Sequence, residues 1–511
     1  MKILGSDIYL KVRDPRQILA LIPHARRQDQ HVICVPHEIE ETKVLRNLGI
    51  PVPAPILTQY HWPGLYAPFD HQQEIAAFCT LHPRNFVLAD MGLGKSLAVL
   101  WAADHLMNSG VIRKALILST LSCLDAVWHT ELFRHFMHRT SIVVHGSKKQ
   151  RIDALAEDVD FYILNHHGVK IVDRELAARD DIDLIILDEG SAYRNSQTDM
   201  YKTFRKLLRP EQRLWILTGQ PCPNGPVDAW ALARLVSPGR VPAFYGRWRD
   251  ETMLKVSMFK WVPKHDATAK VHQALQPAIR FAKADCLNLP PTLYLDRETQ
   301  MSREQQKWFS EMKSRMLIYT QNNVITANNA AIMLSKLLQI SAGCVRSDEE
   351  AYVPLDVSER LATLDEIVDE ANAKVVIFVP YTGALHRVLD HMGKRFTVAK
   401  IDGSTSRTQR KQIIAAFEST PNPQIIVAHP KTAAHGLNLV AADTMIWFSP
   451  IHSLDIYGQA CERMARPGQK LTTRIVHIGA TKIEWGVYAA LREKERFQAR
   501  LFDLFKEEMK V

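Results

Sequence analysis

Paired cysteines, long hydrophobic runs and low-complexity segments are absent from the 511-residue sequence. Its seven cysteines are scattered singly, without a Cys-x-x-Cys pair, which excludes a disulfide scaffold and a cysteine-ligated zinc site. No apolar run reaches the ~18–20 residues of a transmembrane helix, and the first residues lack the apolar core of a signal peptide. We therefore expect an intracellular protein without a membrane partner.

The charge balance is moderately basic. Lysine and arginine number 64 against 55 acidic residues, giving a net charge of +9, and hydrophobic residues make up 46%. This excess permits a polyanionic partner but fits an ordinary basic enzyme equally well. At ~150 residues per domain, the length predicts three or four domains, or two large ones with insertions.

Apolar runs alternate with segments of helical period along most of the chain. NFVLAD, KALILST and LIILDE precede residue 238, and KVVIFVPY and PQIIVAHP follow residue 350. Continuous apolar strands joined by helices are typical of a parallel sheet covered on both faces, so the sequence predicts an α/β protein. The predicted domains are a small N-terminal α+β unit that ends in a proline-rich stretch (1–60), a first parallel-sheet lobe (61–238), a mostly helical insertion region (239–350) and a second lobe (351–511).

A glycine-containing loop between a strand and a helix is the strongest chemical signal. The segment ADMGLGKS, residues 89–96, follows NFVL and precedes an apolar helix, the context that a phosphate-binding loop requires. Backbone N–H groups at Gly92 and Gly94 can wrap phosphates, Lys95 can reach the β- and γ-phosphates, and the Ser96 hydroxyl can ligate Mg²⁺. The alternative is a glycine turn before a helix. The predicted nucleotide-binding residues of this loop are Met91, Gly92, Leu93, Gly94, Lys95 and Ser96.

Two acids end the apolar run LIILDE. An acid at the tip of a buried strand is costly unless it has a task such as holding a metal ion. We expect Asp188 to hold Mg²⁺ and Glu189 to orient or deprotonate the attacking water. The alternative is a pair of exposed strand-capping acids.

These motifs and several others resemble the Swi/Snf-type branch of superfamily-two helicases, in the order found in that family. Residues 188–195 (DEGSAYRN) resemble DEAH-x-x-K-N, and residues 69–72 (FDHQ) resemble the motif whose glutamine, here Gln72, contacts adenine. Residues 217–224 (LTGQPCPN) are similar to LTGTPxxN, and residues 432–439 (TAAHGLNL) are similar to AGGxGLNL. Residues 459–469 match QAxxRxxRxGQ at every defined position.

The resemblance covers about residues 66 to 490 and implies two RecA-like lobes with ATP between them. Arg463 and Arg466 stand three residues apart, so we expect both guanidinium groups to project from one helical face. Together with Gln459, the resemblance assigns them to the catalytic site, as arginine fingers that reach ATP from the second lobe. A solvated basic helix is the alternative.

The sequence departs from the family pattern at three places. Gly190 and Ser191 replace Ala-His, Gln220 replaces a threonine, and Ala434 replaces a glycine. The lysine, both acids and both arginines remain, so we expect hydrolysis to be retained.

Small polar residues after strands match the positions that track a DNA strand in this family. Such residues suit phosphate contacts, although strand-to-helix capping explains each one individually about as well. A basic, aromatic stretch at 247–264 could add a phosphate-binding patch or be a solvated face. The DNA-contact candidates are Thr120, His145, Asn165, Thr405 and Thr432.

The resemblance implies an ATP- and Mg²⁺-dependent translocase on double-stranded DNA, including branched or forked DNA, from a bacterial or phage-infected cytoplasm. A strand-separating DNA or RNA helicase is one alternative. A nucleotide-gated DNA clamp with weak hydrolysis is another, from a different class. The N-terminal 60 residues are expected to help recognise the substrate.

Overall fold

The computed structural model describes residues 1–257, 261–286, 290–322, 327–346, 352–433, 439–466 and 468–509. Two large sheets, each built entirely from parallel pairs in the described ranges, form two lobes that contact one another. A small antiparallel sheet precedes them. No helix in the described ranges is both long and apolar enough to cross a membrane.

The N-terminal unit is an antiparallel sheet in the order β1-β2-β4-β3, with two helices. Its buried core includes Ile8, Leu10, Ile33 and Leu45. Arg26 and Arg27 form an exposed strand at the edge of this sheet. The elements are β1 (Lys2–Leu4), β2 (Asp7–Lys11), α1 (Arg16–Leu21), β3 (Arg26–Arg27), β4 (Val32–Pro36) and α2 (Ile39–Asn47).

The first lobe begins before residue 60. Ala54 and Ile56 are fully buried in its core, and the Tyr60 hydroxyl donates to Asp104 Oδ2 at 2.5 Å. The predicted domain boundary at residue 60 therefore falls inside first-lobe packing, because the N-terminal core itself ends at Val52. Two helices lead into the sheet, α3 (Ile56–Gln59) and α4 (Asp70–Leu81).

The strands of the first lobe are apolar on both faces because helices cover both. Phe86 and Leu88 face one core, whereas Val87 and Ala89 face the other. The strands are β5 (Arg84–Ala89), β6 (Lys114–Ser119), β7 (Ser141–Val144), β8 (Phe161–Asn165), β9 (Ile182–Asp188) and β10 (Arg213–Leu217). The helices are α5 (Lys95–Asn108), α6 (Thr130–His135), α7 (Lys148–Ala156), α8 (Asp173–Ala177), α9 (Asp199–Leu207) and α10 (Ala229–Val236). Shorter helical turns span Leu124–His129, His166–Lys170, Gly190–Tyr193, Pro226–Asp228 and Pro238–Arg240.

The region predicted as a mostly helical insertion, 239–350, also supplies a strand to each large sheet. One strand pairs in parallel with β5 and completes the first sheet in the order β13-β5-β10-β9-β6-β8-β7. The elements are α11 (Tyr245–Thr252), the hairpin β11 (Met253–Lys255) and β12 (Trp261–Pro263), α12 (Ala267–Ala274), β13 (Ala278–Phe281), α13 (Lys283–Cys286), β14 (Thr292–Glu298), α14 (Arg303–Asn322), α15 (Ala327–Ser341) and β15 (Cys344–Arg346).

The second lobe repeats the two-sided packing. Val375 and Ile377 face one core, and Val376 and Phe378 face the other. Its elements are β16 (Tyr352–Pro354), α16 (Ser358–Asp369), β17 (Lys374–Phe378), α17 (Thr382–Met392), β18 (Val398–Ile401), α18 (Arg407–Ser419), β19 (Ile425–Ala428), α19 (Pro430–Ala433), β20 (Ala442–Trp447), α20 (Leu454–Cys461), β21 (Thr473–Gly479) and α21 (Lys482–Met509). The sheet order is β14-β21-β20-β17-β19-β18, and α21 returns to contact β13 and α12 of the first lobe.

Candidate active site

The phosphate-binding loop lies between β5 and α5, as the sequence predicts. Gly92 and Gly94 have φ angles of 83° and 68°, in the left-handed region that glycine adopts without strain. A Cβ on Gly94 would also collide with the side-chain amide of Gln72. The loop therefore needs glycine at this position both for its backbone turn and for close approach.

The loop is held from within and from α4. Lys95 Nζ donates to the carbonyl oxygens of Ala89 at 2.7 Å and Asp90 at 3.0 Å. Gln72 Nε2 donates to Gly94 O at 3.2 Å, and His71 Nε2 lies 2.9 Å from Leu93 O. The Leu93 side chain is buried in the core rather than facing the cleft, so this residue supports the loop through its backbone.

Asp188 ends β9 at the same edge of the sheet, and two neighbouring groups fix it. Its Oδ2 accepts hydrogen bonds from Ser119 Oγ at 2.7 Å and from Trp128 Nε1 at 3.0 Å. Neither residue was identified from the sequence. Ser119 follows an apolar strand like the residues that were selected, whereas Trp128 carries no comparable sequence signal.

Glu189 has an unusual backbone conformation, and the pKa of its carboxyl group is raised. Its φ of 52° places a non-glycine residue in the left-handed region, where strain is expected. Burial, followed by the neighbouring Asp188 carboxylate, raises the pKa of Glu189 to about 7, although Lys95 and Arg463 oppose the shift. A carboxyl group with this pKa can accept a proton near neutral pH.

Arg463 and Arg466 reach the same site from the second lobe, but they do not lie on a helix. Helix α20 ends at Cys461, and both arginines lie in the turns that follow. The Gln469 side chain holds these turns by donating to Val440 O at 3.1 Å and Ala442 O at 3.0 Å. The expectation of one shared helical face is wrong, because a three-residue spacing fits successive turns as well as a helix.

The electrostatics of the arginines reflect their burial. Burial, then the neighbouring Arg463, lowers the pKa of Arg466 to about 10, so both side chains remain cationic at neutral pH. Among the described residues, Arg466 Nε has no hydrogen-bond partner although it is shielded from solvent. This donor is therefore available to an anionic ligand.

One cavity of about 530 Å³ brings the predicted nucleotide residues of both lobes together. Tyr66, Glu131, Arg134 and His135 also line it and were not identified from the sequence. Leu93 and Gln459 are not among its lining residues within the described ranges. The predicted residues that line it are Gln72, Met91, Gly92, Gly94, Lys95, Ser96, Asp188, Glu189, Arg463 and Arg466.

A second cavity of about 850 Å³ lies between the lobes and meets the first at Thr120 and Glu189. It contains four of the five DNA-contact candidates, together with Gln459, whose Nε2 donates to Asp455 Oδ1 at 2.9 Å. Sequence reasoning missed its cations. The candidates are Thr120, His145, Asn165 and Thr432, and the cations are Arg407, Arg410 and Lys431.

The remaining DNA-contact predictions are Thr405 and the basic stretch 247–264. The Thr405 hydroxyl is engaged in its own turn, where it accepts from Asp402 N at 3.0 Å, and it does not line the second cavity in the described structure. In the basic stretch, Arg247 pairs with Glu251 at 2.9 Å, and Arg249 pairs with Asp250 at 3.0 Å. These two acids offset two of the five positive charges of the suggested phosphate-binding patch. The altered residue Ala434 lies outside the described residues.

Polar and steric contacts join the lobes around both cavities. Arg194 Nη1 of the first lobe lies 3.5 Å from Asp455 Oδ2 of the second. The Gln220 side chain occupies the space where a Cβ on Gly458 would lie. The altered third-motif residue therefore packs directly against the helix that leads to the arginines.

Family models identify the chain. The SNF2-related domain matches residues 56–348, which is more than half of the sequence, and the helicase conserved C-terminal domain matches residues 359–468. The chain belongs to the SNF2-related family. This membership confirms the resemblance to Swi/Snf-type helicases, and the two parallel sheets confirm the predicted fold class.

Relatives of this SNF2-related chain include phage, plant and bacterial proteins. Protein p41 of Acyrthosiphon pisum secondary endosymbiont phage 1 is 25% identical over 84% of this chain and 95% of its own length. The ATP-dependent DNA helicase DDM1 of Arabidopsis thaliana is 26% identical over 77% of this chain, but the match covers 56% of DDM1. The ATP-dependent helicase MG018 of Mycoplasma genitalium is 25% identical, with 77% of this chain and 38% of that protein covered.

A solved structure of the Sulfolobus solfataricus SWI2/SNF2 ATPase core in complex with dsDNA is 20% identical, with a TM-score of 0.42, and the match covers 86% of this chain and 94% of that one. The family and the relatives confirm the prediction of an enzyme, an ATP-using member of the helicase class. The magnesium ion, the DNA substrate and the individual residue roles stay predictions.

Proposed function

We propose that this SNF2-related ATPase translocates on double-stranded DNA, driven by ATP hydrolysis between its two lobes. One observation carries the proposal. Lys95, Asp188 and Glu189 of the first lobe share a single cavity with Arg463 and Arg466 of the second. Nucleotide chemistry and the relative position of the lobes are therefore coupled, because the site is complete only when the lobes are together.

The residues of this cavity suit phosphoryl transfer to water. Lys95 and the loop N–H groups bind the phosphates, and Glu189 accepts a proton from the attacking water. Arg463 and Arg466 stabilise the charge on the transferred phosphoryl group. Gln72, which lines the same cavity and supports the loop, would contact the base.

The donor set also fits Mg²⁺. The Ser96 hydroxyl and the Asp188 carboxylate line the same cavity, and hard oxygen ligands are those that Mg²⁺ prefers. Ser119 and Trp128 orient the Asp188 carboxylate by donating hydrogen bonds to it. When bound, the ion would neutralise phosphate charge.

The second cavity supports DNA as the track. Arg407, Arg410 and Lys431 supply positive charge, and Thr120 and Asn165 offer small polar contacts, a combination that suits phosphates rather than bases. The plant relative is named a DNA helicase, which agrees with a DNA substrate. The proposed setting is the cytoplasm of a bacterium or of a phage-infected cell.

ATP hydrolysis should be measured with duplex DNA, forked DNA, single-stranded DNA, RNA or no nucleic acid. We expect duplex DNA to raise the rate strongly and added salt to reduce this stimulation, because phosphate contacts release counterions. Displacement of a triplex-forming strand from an unbranched duplex should then report movement without strand separation. Rapid hydrolysis that never displaces the third strand would contradict translocation, and preferential stimulation by single strands or RNA would favour a strand-separating helicase.

Three variants test the site. Arg466→Ala should lower the stimulated rate by roughly 10³-fold or more, as for a lost arginine finger, whereas Arg395→Ala, which removes an arginine paired with Asp369 on the surface, should not. Lys95→Ala should weaken nucleotide binding or hydrolysis, and Glu189→Gln should bind ATP but hardly turn it over. Lys95→Ala and Glu189→Gln should both retain DNA binding. Equal loss of DNA binding in both variants would indicate misfolding or a nucleotide-gated clamp.

A further inference from the structure

The segment that links the two sheets is bonded to the first residue after β5. Arg280 Nη2 donates to Asp90 Oδ1 at 2.5 Å, and the Lys283 backbone N–H donates to Asp90 Oδ2 at 2.8 Å. In return, the Asp90 N–H donates to Phe281 O at 3.2 Å. Asp90 thus ties the start of the phosphate-binding loop to the chain that leads into the second lobe.

The Lys283 side chain extends this connection into the second lobe. Its Nζ donates to Ala465 O at 2.8 Å, and Ala465 lies between the two arginines in the sequence. The peptide that carries Arg463 and Arg466 therefore forms a hydrogen bond with Lys283, and the backbone N–H of Lys283 in turn donates to Asp90. A short path joins the phosphate-binding loop to the arginine-bearing turn.

The Lys283 ammonium is buried and lies near charges of both signs. Burial is the main factor that lowers the pKa of the Lys283 ammonium, and Arg466 and Lys95 lower it further. The carboxylates of Glu462 and Asp90 act in the opposite direction. An ammonium among other cations is unfavourable by itself, so the Ala465 carbonyl and these carboxylates must stabilise it there.

We propose that Lys283 is a positioning residue that sets the location of Arg466 relative to the phosphate-binding loop. It is not among the described residues that line the nucleotide cavity, so it acts through Ala465 and the turn that carries the arginines. The inference rests on the proposed function, because Arg466 is taken to act on the nucleotide.

The test compares Lys283→Met, which keeps an unbranched apolar stem but removes the donor, with Lys283→Arg, which retains a donor. Lys374→Met is the matched control, because Lys374 Nζ also donates to a backbone carbonyl, Phe417 O, at 2.7 Å but is not among the described residues that line the nucleotide cavity. Each full-length variant is assayed for kcat and KM for ATP, for binding of a fluorescent ATP analogue, and for its melting temperature. Lys283→Met is also combined with Arg466→Ala.

We expect Lys283→Met to lower kcat roughly tenfold or more, because a displacement of about 1 Å in a positioning contact can cost up to ~10²-fold. Binding of the ATP analogue should change little, Lys283→Arg should restore most of the rate, and Lys374→Met should hydrolyse ATP like wild type. The double variant should be no slower than Arg466→Ala alone, since Lys283 acts only through that arginine.

Losses that multiply in the double variant would overturn the proposal, as would a Lys283→Met protein that loses nucleotide binding or thermal stability in proportion to its rate. The comparison uses whatever hydrolysis rate the wild type shows, with or without DNA. A wild-type rate that DNA does not raise would therefore contradict the proposed function, whereas the variant ratios would still decide the role of Lys283.

Discussion

Glu189 occupies a left-handed backbone position while its carboxyl group lies beside that of Asp188. Such strain persists only where the surrounding structure imposes it. Here the Glu189 N–H donates to Asp188 Oδ1 at 3.1 Å, which holds the two acids in a fixed relation. The strained turn directs Glu189 into the nucleotide cavity, and burial raises its pKa to about 7.

This pKa predicts the pH profile of hydrolysis. Only the ionised carboxylate can accept a proton, so kcat/KM for ATP should rise with pH, about tenfold per unit well below pH 7, and level off above it. Glu189→Gln should be slow at every pH. Glu131→Gln, which changes another acid of the same cavity, should keep the midpoint; a wild-type midpoint near pH 4 would contradict the role of Glu189.

Sequence patterns identified those site residues that belong to a motif of consecutive residues. The phosphate-binding loop and Asp188–Glu189 combine a motif with a strand end, and the structure places them in one cavity. Ser119 and Trp128 could not be assigned in this way, because their contact with Asp188 depends on β6 lying next to β9 and on a helical turn folding over that edge.

At the scale of elements, the sequence predicts the two parallel sheets but not all of their edges. The runs that form β5, β9 and β17 are buried on both faces and therefore read clearly as strands. Strand β13 is only four residues long, and β14 is largely exposed along its length. Pairing with β5 and β21 defines these two strands, and such pairing is a long-range property that local composition does not reveal.

The packing of residues 54–60 predicts which deletion removes the N-terminal unit without destabilising the first lobe. Deleting residues 1–52 should leave ATP hydrolysis and change substrate preference, because the unit has its own core. Deleting residues 1–62 should destabilise the first lobe by about 3–5 kcal/mol, since it removes Ile56 from the core and the Tyr60 hydroxyl from Asp104.

Thermal melts and ATPase assays would distinguish the two truncations. Tyr60→Phe in the full chain is the control for the hydrogen bond alone and should cost about 1.5–3 kcal/mol. An insoluble or inactive protein after removal of residues 1–52 would show that the N-terminal unit is required for folding of the first lobe.

At the scale of the whole molecule, the Gln220 side chain of the first lobe fills the space where a Cβ on Gly458 of the second lobe would lie. Gly458→Ala should lower kcat about two- to fivefold, as expected for a fraction of 1 kcal/mol in the barrier. Gln220→Ala should have little effect alone and should restore the rate when combined with Gly458→Ala, because it vacates the space that the new methyl group needs. The steady-state rate of ATP hydrolysis should be measured for the two single variants and the double variant. A double variant as slow as Gly458→Ala would show that the lower rate does not arise from crowding between the lobes.

The terminal helix α21 adds a second link between the lobes at the edge where the chain first crosses, since it contacts β13 and α12. Two links along one edge favour rotation about that edge. With ~4.8 Å between neighbouring strands, β5 lies about 5 Å from the edge and β8 about 24 Å from it. A rotation that moves a group by ~1 Å beside the phosphate-binding loop would move one opposite Asn165 by ~5 Å, more than the ~3.4 Å that separates successive phosphates of one strand along the DNA axis. The edge strand would then be the pivot of a lever whose short arm holds the nucleotide and whose long arm reaches the proposed track.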